Sequence, residues 1–366
     1  NTEEISGSGN ISLISSKGLL EGPIPAVGPV KGAWMISARR TYLDQLVERF
    51  SSLEFPYHFY DYQIKTNLEI GPNHRLTYSR FYGRDVLDFS YSERNTIQNR
   101  VERSVSTLDW PWGNRTNGLT WRWIIAPTLI AKTFLSTSDY RFEFDFENET
   151  TEQLAAPGSA VINREKVNFE VKDNIDDRSV DSELLWKINE EHDLTTGIQH
   201  KEVSFDLDLT FGIATLDTSV QWNPLAINSK TRESAFYIQD RWTINPRLSV
   251  LGGLRATDYS LHDKLYLEPR LGAKFAATEK LFVKYNWGLY RQFLVTANSP
   301  DEVFRIVDLW FGVPGDRNAP LSTHNIFGVE YPSDSDLLLR LEAYHKGFDH
   351  LLTLKNDEGE NSEPLT

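Results

Sequence analysis

The 366-residue chain has no cysteine and a single methionine, Met35. Without thiols there is neither a disulfide framework nor a thiolate metal site, and the redox compartment stays open. No stretch approaches the roughly 18 consecutive apolar residues of a membrane-crossing helix, which excludes a helical span and leaves a strand-built one open. Positive charge is also in deficit: 38 Lys and Arg stand against 52 Asp and Glu, a net charge of −14. No basic cluster of the kind that neutralises phosphates is present, so nucleic acid is not expected as a partner. No charged-then-apolar leader opens the sequence, so any signal peptide is expected to lie outside it.

Chemical motifs are missing as well. The eight His never form an H-x-x-x-H pair, and no Walker loop, nucleophile elbow or dinucleotide fingerprint occurs. No catalytic residue, cofactor or metal site is therefore assigned, and no enzyme is expected. Glu190, Glu191, His192 and Asp193 read as a solvated turn rather than a ligand set, and Asp357, Glu358 and Glu360 around Gly359 lack the spacing of a calcium loop.

What is present is aromatic residues, 12% of the chain, beside a mean hydropathy of −0.43. Those two values coexist when apolar and polar residues alternate. Tyr60, Tyr62, Ile64, Thr66, Leu68 and Ile70 fall on one strand face, and Asp61, Gln63, Lys65, Asn67 and Glu69 on the other. The split recurs at Leu265, Leu267, Leu271, Ala273 and Phe275 against Glu268, Arg270 and Lys274, and again at 281–289 and 337–346. Turn formers mark short connections at 71–74, near Pro127, at 190–193, 245–247, 277–280 and 332–336. Longer polar connections are expected at 44–56, 85–114, 147–177, 207–230 and 292–320, with a tight one near His262.

Strands of a soluble sandwich average about 5 to 6 residues, whereas these run about twice as long. Transmembrane barrels use antiparallel strands of about 9 to 11 residues, short turns at one end, long loops at the other, and an apolar outer face. The pattern therefore predicts an all-β transmembrane barrel. Tyr57, Tyr60, Trp121, Trp123, Trp242 and Trp287, near strand ends, are candidates for the aromatic girdles.

The phrases SLISSKGLLEGPI, GAWMISARRTYLDQL, AFYIQDRW, LSVLGGLRATDYS, LEPRLGAKFAATEKLFVKYNWGLYRQF and LLLRLEAYHKGFDHLL, in that order, resemble the barrel region of TonB-dependent outer-membrane receptors of the Bacteroidota type. The resemblance implies a 22-stranded barrel plugged by an amino-terminal domain, in the outer membrane of a Gram-negative bacterium. It also implies import of a scarce nutrient of the siderophore, cobalamin, glycan or peptide class, powered by the TonB energy-coupling complex through that plug. About 14 strands are legible, so residues 1–366 read as one segment of such a barrel. The plug and the remaining strands are expected elsewhere, possibly on another chain.

On this mapping the strands running outward are 32–43, 75–84, 129–146, 194–206, 248–260, 281–291 and 337–347. Those running back are 8–20, 57–70, 115–126, 178–189, 231–243, 265–276 and 321–331. Pro269, with no N–H to give to a ladder, predicts a bulge or an unpaired position, and 136–139 leaves its register ambiguous. Trp110, Trp112, Arg305, Trp310 and Phe311, on external loops, are the candidate ligand contacts, set against packing of loop on loop. Arg39, Arg80, Arg270 and Lys274 are expected to face the lumen and to pair with acids of the plug or across the barrel. Two other classes remain open: a soluble or surface-attached all-β binding module, such as a carbohydrate binder, and a barrel-borne hydrolase.

Overall fold

The computed structural model describes residues 4–42, 56–156, 158–297, 309–333 and 337–352, with Asp44, Val47 and Arg49. Its strands are β1 (Ser6–Ile11), β2 (Ser15–Val27), β3 (Val30–Thr41), β4 (Tyr57–Ile70), β5 (His74–Ile97), β6 (Arg100–Ala126), β7 (Leu129–Leu154), β8 (Val161–Lys187) and β9 (His192–Thr215). They continue as β10 (Ser219–Asn245), β11 (Leu248–Tyr259), β12 (Leu265–Ala276), β13 (Phe282–Arg291), β14 (Leu294–Ala297), β15 (Leu309–Gly312), β16 (Leu321–Pro332) and β17 (Leu338–Asp349). One 15-stranded sheet runs β1 to β13 and then β16 and β17 in chain order, while β14 and β15 pair separately. The ladders from β1 to β6 and from β10 to β17 are antiparallel, and the fold is the wall of a transmembrane β-barrel.

The short turns fall where turn formers stand. Gly28 and Gly71 have φ of 59° and 62°, which only glycine adopts without strain. Three of the five long connections do not appear as loops, while most of 44–56 and the middle of 292–320 lie outside the described residues. Residues 85–114 are the outer part of a hairpin whose β5–β6 ladder continues unbroken to Ile97↔Arg100. It closes through Gln98 and Asn99, both at positive φ, the conformation of a two-residue hairpin turn. The connections expected at 147–177 and 207–230 shrink likewise to a few residues, between β7 and β8 and between β9 and β10. Polar composition signalled water on one face there, not loss of strand. The strand expected at 8–20 is two strands, β1 and β2, paired Gly9↔Gly18.

Pro269 causes no bulge in β11–β12, where Leu254 opposes it in continuous register. The ladder from β12 to β13 begins instead at Arg270↔Gly288, so the proline sits beyond its end.

The chain divides into two compact units. The first comprises Asn1–Trp123, Thr133–Val180 and Val203–Ser229, and the second Ile124–Lys132, Asp181–Glu202 and Lys230–Thr366. Directly opposed residues share a face, so register sorts side chains. In the second unit, Leu271↔Trp287, Ala273↔Tyr285 and Phe275↔Val283 make one face apolar, and Arg270, Lys274 and Lys284 lie on the other. Leu267 and Leu271 are 54% and 56% exposed, as side chains pointing at lipid must be in a protein without its bilayer. Lys284 meets Glu330 at 2.6 Å, and Arg340 meets the same carboxylate at 2.9 Å.

The first unit repeats this arrangement. Its outward rows are Val30, Ile70, His74 and Trp123; Gly32, Leu68, Leu76 and Trp121; and Trp34, Thr66, Tyr78 and Leu119. Trp121 and Trp123 stack at 5.9 Å, and His74 lies against both. Farther from the short turns, Tyr82 packs against Tyr60 and Tyr62 at 6.0 and 5.4 Å. An apolar band bounded by an aromatic belt at each end is the signature of a lipid-spanning wall.

Candidate functional site

Continuous register lets a single strand be read from end to end. On β6, Leu119, Trp121 and Trp123 project outward, so Trp110 and Trp112, of the other parity, project inward. The apolar side of the strand thus reverses beyond the apolar band. On β7 the same reversal gives Phe142 and Phe144 on one face and Glu143, Asp145 and Glu147 on the other. The cause is the solvent: lipid surrounds the lower strand and water surrounds its extension, so the greasy side chains gather on the inward face, where they pack against one another.

The inward rings of the first unit form a row. Tyr57 stacks on Trp112 at 6.2 Å, Trp112 lies 5.5 Å from Trp110, and Trp110 meets Phe144 edge-on at 5.3 Å and Phe142 at 6.1 Å. The row continues through Phe169 and Phe211, 4.6 Å apart, to Trp222, 5.6 Å beyond and 45% exposed. The Tyr57 hydroxyl donates to Asp85 at 2.6 Å. Six strands contribute, and the rings hold one another by offset and edge contacts. Such a surface can stack flat or ring-bearing solutes.

Trp110 and Trp112 are therefore together, on a strand rather than the external loop expected. Trp310 and Phe311 lie in the other unit on β15, opposite Thr296 and Val295 of β14. Phe311 packs against a core of Tyr259, Tyr266, Phe293, Val295, Val313 and Ala319, which is loop packing rather than a free contact. Arg305 lies outside the described residues, as does the 357–360 acidic run. Tyr57, assigned to a girdle, faces inward instead. Phe142, Phe144, Phe169, Phe211 and Trp222 were missed although their alternation with acids, as in Phe-Glu-Phe-Asp-Phe-Glu at 142–147, carries the signal.

The wall charges find most of their partners within the wall. Arg39 pairs with Asp61 at 2.7 Å and covers the Phe59 ring. Arg270 sits over Tyr290 at 4.7 Å, and Lys274 over Phe282 at 4.5 Å. Arg80 is a correction: it opposes Ile64, on the outward face, because the β4–β5 register sets Gln63 against Phe81.

The second unit carries an inward polar network that single strands do not reveal. Arg255 donates to Gln199, to Glu233 at 3.2 Å and to Thr257 at 3.2 Å, and its Nε lies 3.6 Å from Glu268. The Tyr237 hydroxyl donates to Asp181 at 3.2 Å, and Lys132 pairs with Glu183 at 3.1 Å. Tyr237 lies over Gly197, where a Cβ would come within 2.5 Å of its ring. Among the described residues no group of three or more His, Asp or Glu is arranged to hold a metal. Asn189 Oδ1 instead accepts the N–H groups of Glu191 and His192, closing the turn.

On the water-facing side of the β7 extension, partial burial and then the carboxylates of Glu170, Glu147 and Asp109 hold the Asp145 carboxyl above its ordinary range, against the pull of Lys172. The folded state therefore takes up this proton at a higher pH than the unfolded chain does. Stability of these hairpins is expected to rise as pH falls through the raised folded value toward the unfolded one, 3.8. Proteolysis of the hairpins across that window should slow toward acid in the native protein and show a flatter pH dependence in Asp145→Asn.

A family model described as TonB dependent receptor-like, beta-barrel, matches residues 41–362. Among solved structures, the ferripyoverdine receptor of the outer membrane of Pseudomonas aeruginosa, bound to ferripyoverdine, is similar at 14% identity and a TM-score of 0.60, over 94% of this chain and 48% of that one. The ferric enterobactin receptor of Pseudomonas aeruginosa aligns at 11% identity and 0.55, over 95% and 54%. The RagAB peptide transporter aligns at 10% identity and 0.51, over 92% and 44%. The chain thus spans about half the length of these proteins, and no curated protein matches it in sequence.

Proposed function

Because the chain belongs to the TonB dependent receptor-like β-barrel family, we propose that it forms part of the wall of an outer-membrane importer. In this reading a plug and further barrel strands, supplied outside residues 1–366, complete the barrel. The TonB complex drives uptake of a small nutrient of the siderophore, cobalamin, glycan or peptide class, and the chain catalyses no reaction. The observation that carries the reading is the two-sided wall: an outward apolar band between aromatic belts, backed by an inward face of paired charges. Chains named as siderophore receptors and as a peptide transporter share the fold, which supports nutrient cargo without selecting one.

Within that reading the ring row from Tyr57 to Trp222 contacts cargo. Tryptophan faces on strands are rigid, and large aromatic anchors carry a disproportionate share of binding energy, often 2 kcal/mol or more each. The test compares growth of native, receptor-deleted and TonB-deficient cells on a panel of iron-siderophore, cobalamin, glycan and peptide sources. One source should require both proteins. Replacing both tryptophans in the complete receptor, Trp110→Ala with Trp112→Ala, should lower uptake from that source by about 10-fold or more at unchanged receptor level. Recovery of the protein in the detergent-free soluble fraction would favour the binding-module alternative.

A further inference from the structure

The outward face of the first unit carries charge where a lipid-facing wall should carry none. Arg80 and Arg84 lie four residues apart on β5, on the same face and about 13 Å apart along the strand, flanking Tyr82, with Tyr60 opposite Arg84 and Ile64 opposite Arg80. The neighbours of Arg80 are neutral: its Nε donates to the Tyr62 hydroxyl at 3.2 Å and its Nη1 to Asn117 Oδ1 at 3.4 Å. Tyr78 donates to the same Asn117 oxygen. Arg80 also lies over the Tyr62 ring at 5.9 Å, whereas Arg115 on the same face pairs with Asp139 at 2.8 Å. Arg80 and Arg84 form no ion pair among the described residues, and their level is the belt of Tyr60, Tyr62 and Tyr82.

Two guanidinium groups without an ion-pair partner at the edge of an apolar band can hold an anion at that depth. Next to it, Leu20 and Ile36 border a shallow apolar groove floored by Gly9, Gly18 and Ala38. Gly9↔Gly18, Gly18↔Ala38 and Ala38↔Tyr62 are successive cross-strand neighbours, so groove and belt share one face.

We propose that Arg80 and Arg84, with the hydroxyls of Tyr60, Tyr62 and Tyr82, bind the phosphorylated headgroup of an outer-leaflet lipid whose acyl chain lies in the Leu20–Ile36 groove. Guanidinium groups give phosphate oxygens two parallel charge-assisted hydrogen bonds, and tyrosine hydroxyls at the interface supply further donors. The orientation rests on the membrane-wall reading above, since the belt farther from the short turns must meet the outer leaflet.

The test uses the complete receptor, extracted in mild detergent and placed in nanodiscs. Native mass spectrometry then measures retention of a bis-phosphorylated lipid A against the same lipid with its phosphates removed. The native protein should retain the phosphorylated form preferentially. Arg80→Gln with Arg84→Gln should lower that preference by about 10-fold or more, Arg80→Lys with Arg84→Lys should retain part of it, and Arg75→Gln with Arg122→Gln on the opposite face should leave it intact. Equal retention of the two lipids, an unaffected Gln variant, or displacement by inorganic phosphate alone would overturn the proposal. A receptor that inserts and imports but shows no lipid preference refutes only this site, whereas one that needs no detergent refutes the wall reading itself.

Discussion

Glu268→Ala should cost the detergent-solubilised receptor about 3 to 5 kcal/mol of stability, the usual consequence of removing one partner from a buried charge network. Glu268 is 4% exposed. One carboxylate oxygen accepts the Arg291 backbone N–H at 2.9 Å, and the other accepts the Thr257 hydroxyl at 3.2 Å and faces Arg255. Alanine leaves Arg255 with Glu233 as its remaining acid and strips the Arg291 N–H of its acceptor. Since Arg291 ends β13 just before Phe293 and Val295, the packing of that segment on Tyr259 and Tyr266 should loosen as well. Glu268→Gln, which keeps an acceptor but loses the charge, should cost about 1 to 3 kcal/mol. Urea unfolding followed by tryptophan fluorescence measures both, and an alanine variant as stable as the native protein would show that the network adds nothing.

Leu271→Arg should be nearly as damaging for a different reason. Leu271 lies in the middle of β12 on the outward face, opposite Trp287, and an arginine at the midplane of a barrel's lipid face costs about 2 to 4 kcal/mol. The sign of this effect separates the two environments. In water, arginine in place of a leucine that is 56% exposed would be neutral or would improve solubility. In a bilayer it must desolvate a cation, so the amount of receptor that assembles in the outer membrane should fall and its resistance to heat in gel-shift assays should drop. Lys274→Ala, three residues away on the inward face, loses a cation over Phe282 and should change stability by less than about 1 kcal/mol. Equal tolerance of Leu271→Arg and Lys274→Ala would remove the lipid from the account.

Much of the wall was legible because it depends on short-range order. Strands such as 57–70 and 265–276 were located to the residue by alternation and by the turn formers that bound them. Where reading failed, it failed by treating polarity as a sign of loops. The stretch from Asp85 to Asn114 is rich in charge, yet it alternates, and a strand with water on one face needs no more than that. Trp110 and Trp112, expected on a loop, lie on β6 with their rings 5.5 Å apart, so the ring row that they join went unseen. Arg80 was misplaced for a related reason. A lumen assignment by charge alone ignores that β5 is registered to β4 by Ile64↔Arg80, and one step of register exchanges the two faces.

Alternation and turn residues, read from the chain alone, determined that this protein builds antiparallel strands with one greasy and one polar side in the membrane band. Both signals reside in neighbours a few positions apart. The tertiary structure decided which residues from separate strands meet: the rings of Tyr57, Trp112, Trp110, Phe144, Phe169, Phe211 and Trp222, the carboxylate of Glu268 beneath Arg255, and the outward arginines among tyrosines. Those meetings depend on the register between strands distant in sequence, set by the cooperative pairing of whole ladders, and no local pattern encodes it.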